Sequence, residues 1–109
     1  MDHVAIGGRL VGDVLVLSVP DLTGAAGPDL LAESLTAAVV PAARLVVLDL
    51  RAAGMVSVHT GRALVLFARG CADRGVECAL VPDPADKAAS AVLDLVDPSG
   101  VVPRFGTLG

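Results

Sequence analysis

Apolar positions along the chain recur with two different periods, and the alternation between them lays out the elements. "DVLVLSV" (13–19) alternates apolar and polar residues, and "HVAIGGRLVG" (3–12) precedes it with a glycine at the junction. The two stretches predict antiparallel strands joined by a glycine turn and closed by Pro20. "RLVVLDL" (44–50) is instead a continuous apolar run bounded by charge, which predicts a strand buried on both faces at the centre of a sheet. "VECALVP" (76–82) predicts a second buried strand. Between these lie segments with helical spacing. In the first, Gly27 and Pro28 mark the entry, Leu31, Leu35 and Ala38 share a face, and Pro41 ends the run. In the second, from about Thr60 to Arg74, Leu64, Phe67, Ala68 and Cys71 form a buried stripe, and Gly75 supplies the stop. The third spans 83–96, with Asp83 as N-cap, Pro84 in the first turn, and Ala88, Ala91, Val92 and Leu95 toward the sheet. After the turn "DPSG", "VVPRF" (101–105) reads as a short last strand, placed at an edge because Pro103 has no N–H to donate.

The resulting order is two strands, then helix and strand in alternation. It predicts one α/β domain over residues 1–109, with a mixed β-sheet of about five strands and right-handed crossover helices packed on it. Composition narrows the core. Of the 109 residues, 54% are hydrophobic but only 2% aromatic, so Val, Leu and Ala must fill the interior around Phe67 and Phe105. No apolar run is long enough to cross a bilayer, and the N-terminus lacks a basic stretch followed by a hydrophobic one, so a cytoplasmic protein without membrane insertion is expected.

Charge removes further classes. A net charge of -4 with scattered cations gives no footprint for a phosphate backbone, so nucleic acid is not an expected partner. Cys71 and Cys78 read as small buried hydrophobes. With His3 and His59 as the only histidines, no metal site or other cofactor site is expected. A hydrolase triad can be drawn from Ser57, His59 and Asp49, but no nucleophile elbow or oxyanion loop accompanies it, so no catalytic residue is assigned.

The chemistry-bearing stretch that remains is "VSVHTG" (56–61), where a strand hands over to a helix. Ser57 or Thr60 can cap the helix start. A hydroxyl there is expected on the surface, where a phosphate would meet the positive end of the helix dipole and come within reach of Arg62. The outer flank of the same helix carries Arg62, Leu66, Arg69 and Asp73 at helical spacing.

Order and local motifs together resemble the STAS domain, the fold of anti-sigma factor antagonists, over nearly the whole chain. "VLVLSVPDLTGAAGPDLLAESL" is similar to the family's strand, turn and proline-started helix. "LVVLDLRAAGMVSVHTGRALVLFARGCADRG" follows the layout in which a strand ending in Asp-Leu runs into a phosphorylatable "D-S-S-G-L" loop and a helix. "VECALVPDPADKAASAVLDLVDPSGVVPRF" is similar to the later strand, helix and closing strand. Counted without a gap from Asp49, Ser57 falls at the family's aspartate, His59 at its phosphoacceptor serine and Thr60 at its glycine. A slide of one residue puts Thr60 at the phosphoacceptor and Gly61 at the glycine. In either count the acidic residue is missing, and the chain stops at "FGTLG", where many members continue into a last helix.

The resemblance implies a partner-binding regulator of transcription, not an enzyme. Its partner would be an anti-sigma factor with serine/threonine kinase activity, which supplies the ATP and Mg²⁺ itself. Thr60 is the favoured phosphoacceptor, with Ser57 and His59 behind it. The contact surface would comprise Ser57, His59, Thr60, Arg62, Leu66, Arg69 and Asp73, joined at the rim by Asp21 and Thr23. A second reading keeps the fold and changes the partner to the ATPase of a lipid-transporting ABC complex, since a threonine in the same loop matters for docking in STAS-like subunits of that kind. An uncovered sheet edge also leaves self-pairing into a dimer open.

Overall fold

A computed structural model describes residues 6–20, 28–54 and 56–104. It is an α/β structure with four strands and three helices: β1 (Gly7–Val11), β2 (Val14–Ser18), α1 (Pro28–Ala38), β3 (Leu45–Asp49), α2 (Val58–Asp73), β4 (Glu77–Val81) and α3 (Lys87–Val96). The strands lie side by side in chain order. β1 pairs antiparallel with β2, β2 parallel with β3, and β3 parallel with β4, giving a mixed open sheet. Gly12 opens the turn between β1 and β2 at φ 64°, and among the described residues no non-glycine has positive φ. That glycine-first, two-residue connection matches the twist of a hairpin.

Each parallel crossover advances the sheet one strand in the same direction. With crossovers of one hand, the connecting helices must all fall on one face. The core shows this arrangement. Leu15 and Leu17 of β2, Val46 and Leu48 of β3, and Cys78 and Leu80 of β4 form one cluster with Leu31 and Leu35 of α1, Leu64, Phe67 and Cys71 of α2, and Ala89 and Leu93 of α3. The pairing register puts Val14, Val16, Leu45, Val47 and Ala79 on the opposite face, outside that cluster, with Val47 and Ala79 buried. α2 is the middle helix, touching α1 on one side, α3 on the other and β4 beneath. The α2–α3 approach is close at Gly61, where a Cβ would lie 3.1 Å from a Val96 methyl and 3.2 Å from a Val92 methyl.

Three expectations need correction. The sheet has four strands rather than about five, because the last segment makes only an isolated parallel bridge, Leu80 to Arg104. Asp83 does not cap α3: its carboxylate accepts from Ala85 N–H and its carbonyl from Asp86 N–H in a preceding turn, and Asp86 is the cap, accepting from Ala89 N–H at 3.0 Å. The inner face of α3 is one residue out of phase with the expected one. Ala89 and Leu93 are buried, Val92 is half-buried, and Ala88, Ala91 and Leu95 are exposed.

Asp97 explains how the chain leaves α3. Its buried carboxylate accepts from Val101 N–H and Val102 N–H, both at 3.0 Å. An exposed ion pair between Arg104 and Asp94, 2.7 Å apart, adds a weak tie to α3. Asp97→Ala would leave the amide donors of exposed Val101 and buried Val102 without an acceptor. It is expected to lower the unfolding free energy in urea by about 2 kcal/mol; a loss below about 0.5 kcal/mol would show that water replaces the carboxylate.

Candidate functional site

Where β3 ends, the backbone is pinned by Asp49 and Arg51. Arg51 donates its backbone N–H and Nε–H to Asp49 Oδ1, both at 3.0 Å, and Nη2–H to Oδ2 at 2.9 Å. These side-chain hydrogen bonds hold the Asp49 carboxyl below its ordinary range, against a smaller upward push from burial. Leu50 N–H donates to Val81 C=O and Ala53 N–H to Leu50 C=O, turning the chain back through Gly54 at φ 68°. Buried Val56 then anchors the entry to α2.

Ser57 is the N-cap of α2, with extended backbone at φ -79° and ψ 167°. Its Oγ accepts from Thr60 N–H and donates to Thr60 Oγ1, each at 3.1 Å, while its carbonyl takes the first helical bond from Gly61 N–H. The two hydroxyls therefore have different surroundings. Ser57 is exposed, whereas Thr60 is only 5% exposed and belongs to the buried side of the helix. This corrects the expectation that Thr60 presents a surface hydroxyl. Three residues past the cap, its position points inward with Gly61 and Leu64.

His59, Arg62, Leu66, Arg69 and Asp73 are all exposed and recur at intervals of three and four, so they form one stripe along the outside of α2. Leu66 is 63% exposed within it. Beside the stripe, α1 and α2 bound a mainly apolar groove of about 420 Å³, walled by Ala32, Glu33, Thr36 and Ala37 on α1 and by Leu66, Phe67 and Gly70 on α2. Thr36 turns its hydroxyl back to Ala32 C=O at 2.8 Å, which leaves its methyl available to that wall. The α1 wall and Gly70 were missed by sequence reasoning. Their signal is the small residues Ala32, Ala37 and Gly70 on facing helix flanks, visible only once α1 is known to lie against α2. Asp21 and Thr23 lie outside the described residues.

Ser57, His59 and Asp49 are not joined as a triad. Asp49 is taken by Arg51, and the hydroxyl of Ser57 by Thr60. Burial pushes both thiols up, Cys71 in direction and Cys78 to about 12, so neither forms a thiolate near neutral pH. Among the described residues, no group of three or more His, Cys, Asp or Glu is placed to hold a metal ion, and no helix is long and apolar enough to cross a membrane.

No protein-family model and no curated protein matches the chain.

Two outcomes follow from this geometry. Ser57→Ala removes the cap and is expected to cost about 1 kcal/mol, measured by urea unfolding, with Ser57→Asp restoring most of it because a carboxylate also caps. Native protein at pH 8 should resist iodoacetamide at both Cys71 and Cys78, and denatured protein should label at both. Rapid labelling of the folded chain would contradict the raised thiol pKa values.

Proposed function

We propose that this chain is a STAS-like partner-binding domain of the anti-sigma factor antagonist type, which engages an anti-sigma factor with serine/threonine kinase activity through the N-terminal end and outer flank of α2. The observation that carries the reading is that exposed Leu66, in a stripe of charged residues, lies on the same helix whose start is capped by the exposed residue Ser57. Such a surface has an apolar anchor and a charged rim, the usual make-up of a regulated interface. Leu66 fills the partner's pocket, the α1–α2 groove receives a partner side chain, and Arg62, Arg69 and Asp73 set register.

Regulation then runs through Ser57 rather than Thr60. Ser57 is the exposed residue of the two: its hydroxyl has only to give up its bonds to Thr60, whereas Thr60 Oγ1 must also leave a buried position. A phosphate on Ser57 adds close to two negative charges beside the first helix amides. The helix tolerates that charge, and so the effect falls on the partner, whose surface must desolvate or repel it. The reading with a transporter ATPase uses the same flank but leans on Thr60 as a contact, and burial of that side chain favours the first reading.

The test is affinity capture by the tagged chain followed by a binding assay on the partner obtained. An anti-sigma kinase supports the proposal, a transporter ATPase moves the chain to the second reading, and capture of neither class counts against both. Leu66→Arg should weaken binding to the captured partner by about tenfold or more, and Ser57→Glu by a similar factor, with circular dichroism unchanged in both. Full affinity in Leu66→Arg would remove the α2 flank from the interface.

A further inference from the structure

Away from that flank, the free edge of β4 is incompletely paired, and the backbone hydrogen bonds show which of its groups are left. Glu77 N–H donates to Arg44 C=O and Val81 C=O accepts from Leu50 N–H, so the odd-numbered residues of β4 turn their backbone groups toward β3. Cys78 and Leu80 therefore turn theirs outward. Leu80 N–H finds Pro103 C=O at 2.8 Å. Two residues earlier the ladder cannot continue. The bridge of Leu80 with Arg104 places residue 103 as the donor for Cys78 C=O, and residue 103 is proline. The carbonyl facing Cys78 N–H would be that of Val101, but Val101 and Val102 are drawn the other way by the carboxylate of Asp97. Among the described residues, no backbone hydrogen bond reaches either outward group of Cys78.

These two groups border a cavity of about 500 Å³ between the end of α2 and the segment 101–103. Its helix side is lined by Ala68, Arg69 and Ala72, small residues around one guanidinium. Its other side is formed by Leu45, Ala79 and Val101, with exposed Glu77 at the start of β4. The space lies within the size range of ligand sites. Burial pushes the Cys78 thiol up to about 12, so the features that remain are a backbone donor, a backbone acceptor, the Arg69 cation on the helix side and the Glu77 carboxylate on β4.

We propose that this edge binds an extended peptide segment of a partner protein, which supplies the strand rung that Pro103 cannot and places an acidic side chain against Arg69. An added strand matches the requirement directly. Its backbone offers both a donor and an acceptor at the spacing of Cys78, and its side chains alternate between the Arg69 side and the apolar side. The proposal does not rest on the anti-sigma reading. The two sites lie on different sides of α2 and share only Arg69.

The probe is the fluorescein-labelled pentapeptide Val-Asp-Val-Asp-Val, titrated onto the full chain by anisotropy, with amide resonances followed in parallel. Saturable binding with Kd of about 1 mM or tighter is expected, together with a downfield shift of the Cys78 amide. A copy N-methylated at its three central amides should bind at least ~tenfold more weakly. Arg69→Ala should weaken the aspartate peptide while leaving a Val-Ser-Val-Ser-Val peptide unchanged. No saturation by about 5 mM, equal affinity for the N-methylated copy, or shifts confined to other elements would each overturn the proposal. So would a peptide-independent dimer that protects the Cys78 amide from hydrogen exchange, which would assign the edge to a second copy.

Discussion

The seating of α2 is the constraint on which the other elements depend. This helix buries Thr60, Gly61, Ala63, Leu64, Val65, Phe67, Ala68 and Cys71, and among the described residues it is the only helix in extensive contact with both of the others. Its position is fixed from both ends. Val56 and the Ser57 cap set where it starts, and Val76 N–H returning to Cys71 C=O sets where the chain turns into β4. Gly61 lets α3 approach until the methyls of Val92 and Val96 stand where a side chain would begin. A larger residue would push α3 outward and with it the buried Leu93, so the interior on that side follows from the absence of one Cβ.

The same seating decides which chemistry reaches solvent. A helix buried on nearly half its circumference leaves a narrow outer stripe, and here that stripe carries His59, Arg62, Leu66, Arg69 and Asp73. Ser57 stays outside because a cap residue is not yet on the helix. Thr60 turns inside because it is one turn further on. The two hydroxyls differ by only three positions, yet the geometry of a cap makes one a surface group and the other part of the core. From solvent, residue Ser57 is therefore met before Thr60.

Much of this was readable where the hydrophobic pattern had only one solution. β3 and α2 were placed because "LVVLDL" is apolar without interruption and because Leu64, Phe67, Ala68 and Cys71 oppose Arg62, Leu66, Arg69 and Asp73 without ambiguity. α3 was misphased for the opposite reason. Ala88, Ala89, Ala91, Val92, Leu93, Leu95 and Val96 surround the helix axis, and a segment apolar on every side does not specify which side is buried. Tertiary contact with α2 chose Leu93 over Leu95. Likewise Asp83 and Asp86 are equally good caps in isolation, and Pro84 fits the first turn after the one as well as the turn before the other. The inward position of Thr60 was hidden because a cap and its neighbour are both short hydroxyl residues. The α1–α2 groove was not legible at all, since it exists only between two helices.

Pro103 shows how one residue can be legible in kind and not in extent. The missing N–H argued for a strand at an edge, and the segment does lie against the outside of β4. What could not be read was that Asp97, from the end of α3, would also claim the amides of Val101 and Val102, so that proline and carboxylate together reduce a strand to one bridge. The two effects act on different backbone groups: the proline removes a donor for Cys78 C=O, and the carboxylate draws away the segment that carries the acceptor for Cys78 N–H. Removing Asp97 alone would free the segment without restoring the donor, and replacing Pro103 alone would restore the donor on a segment still held away. A complete fifth strand therefore requires both changes, which makes the open rung at Cys78 a property of the pair and not of either residue.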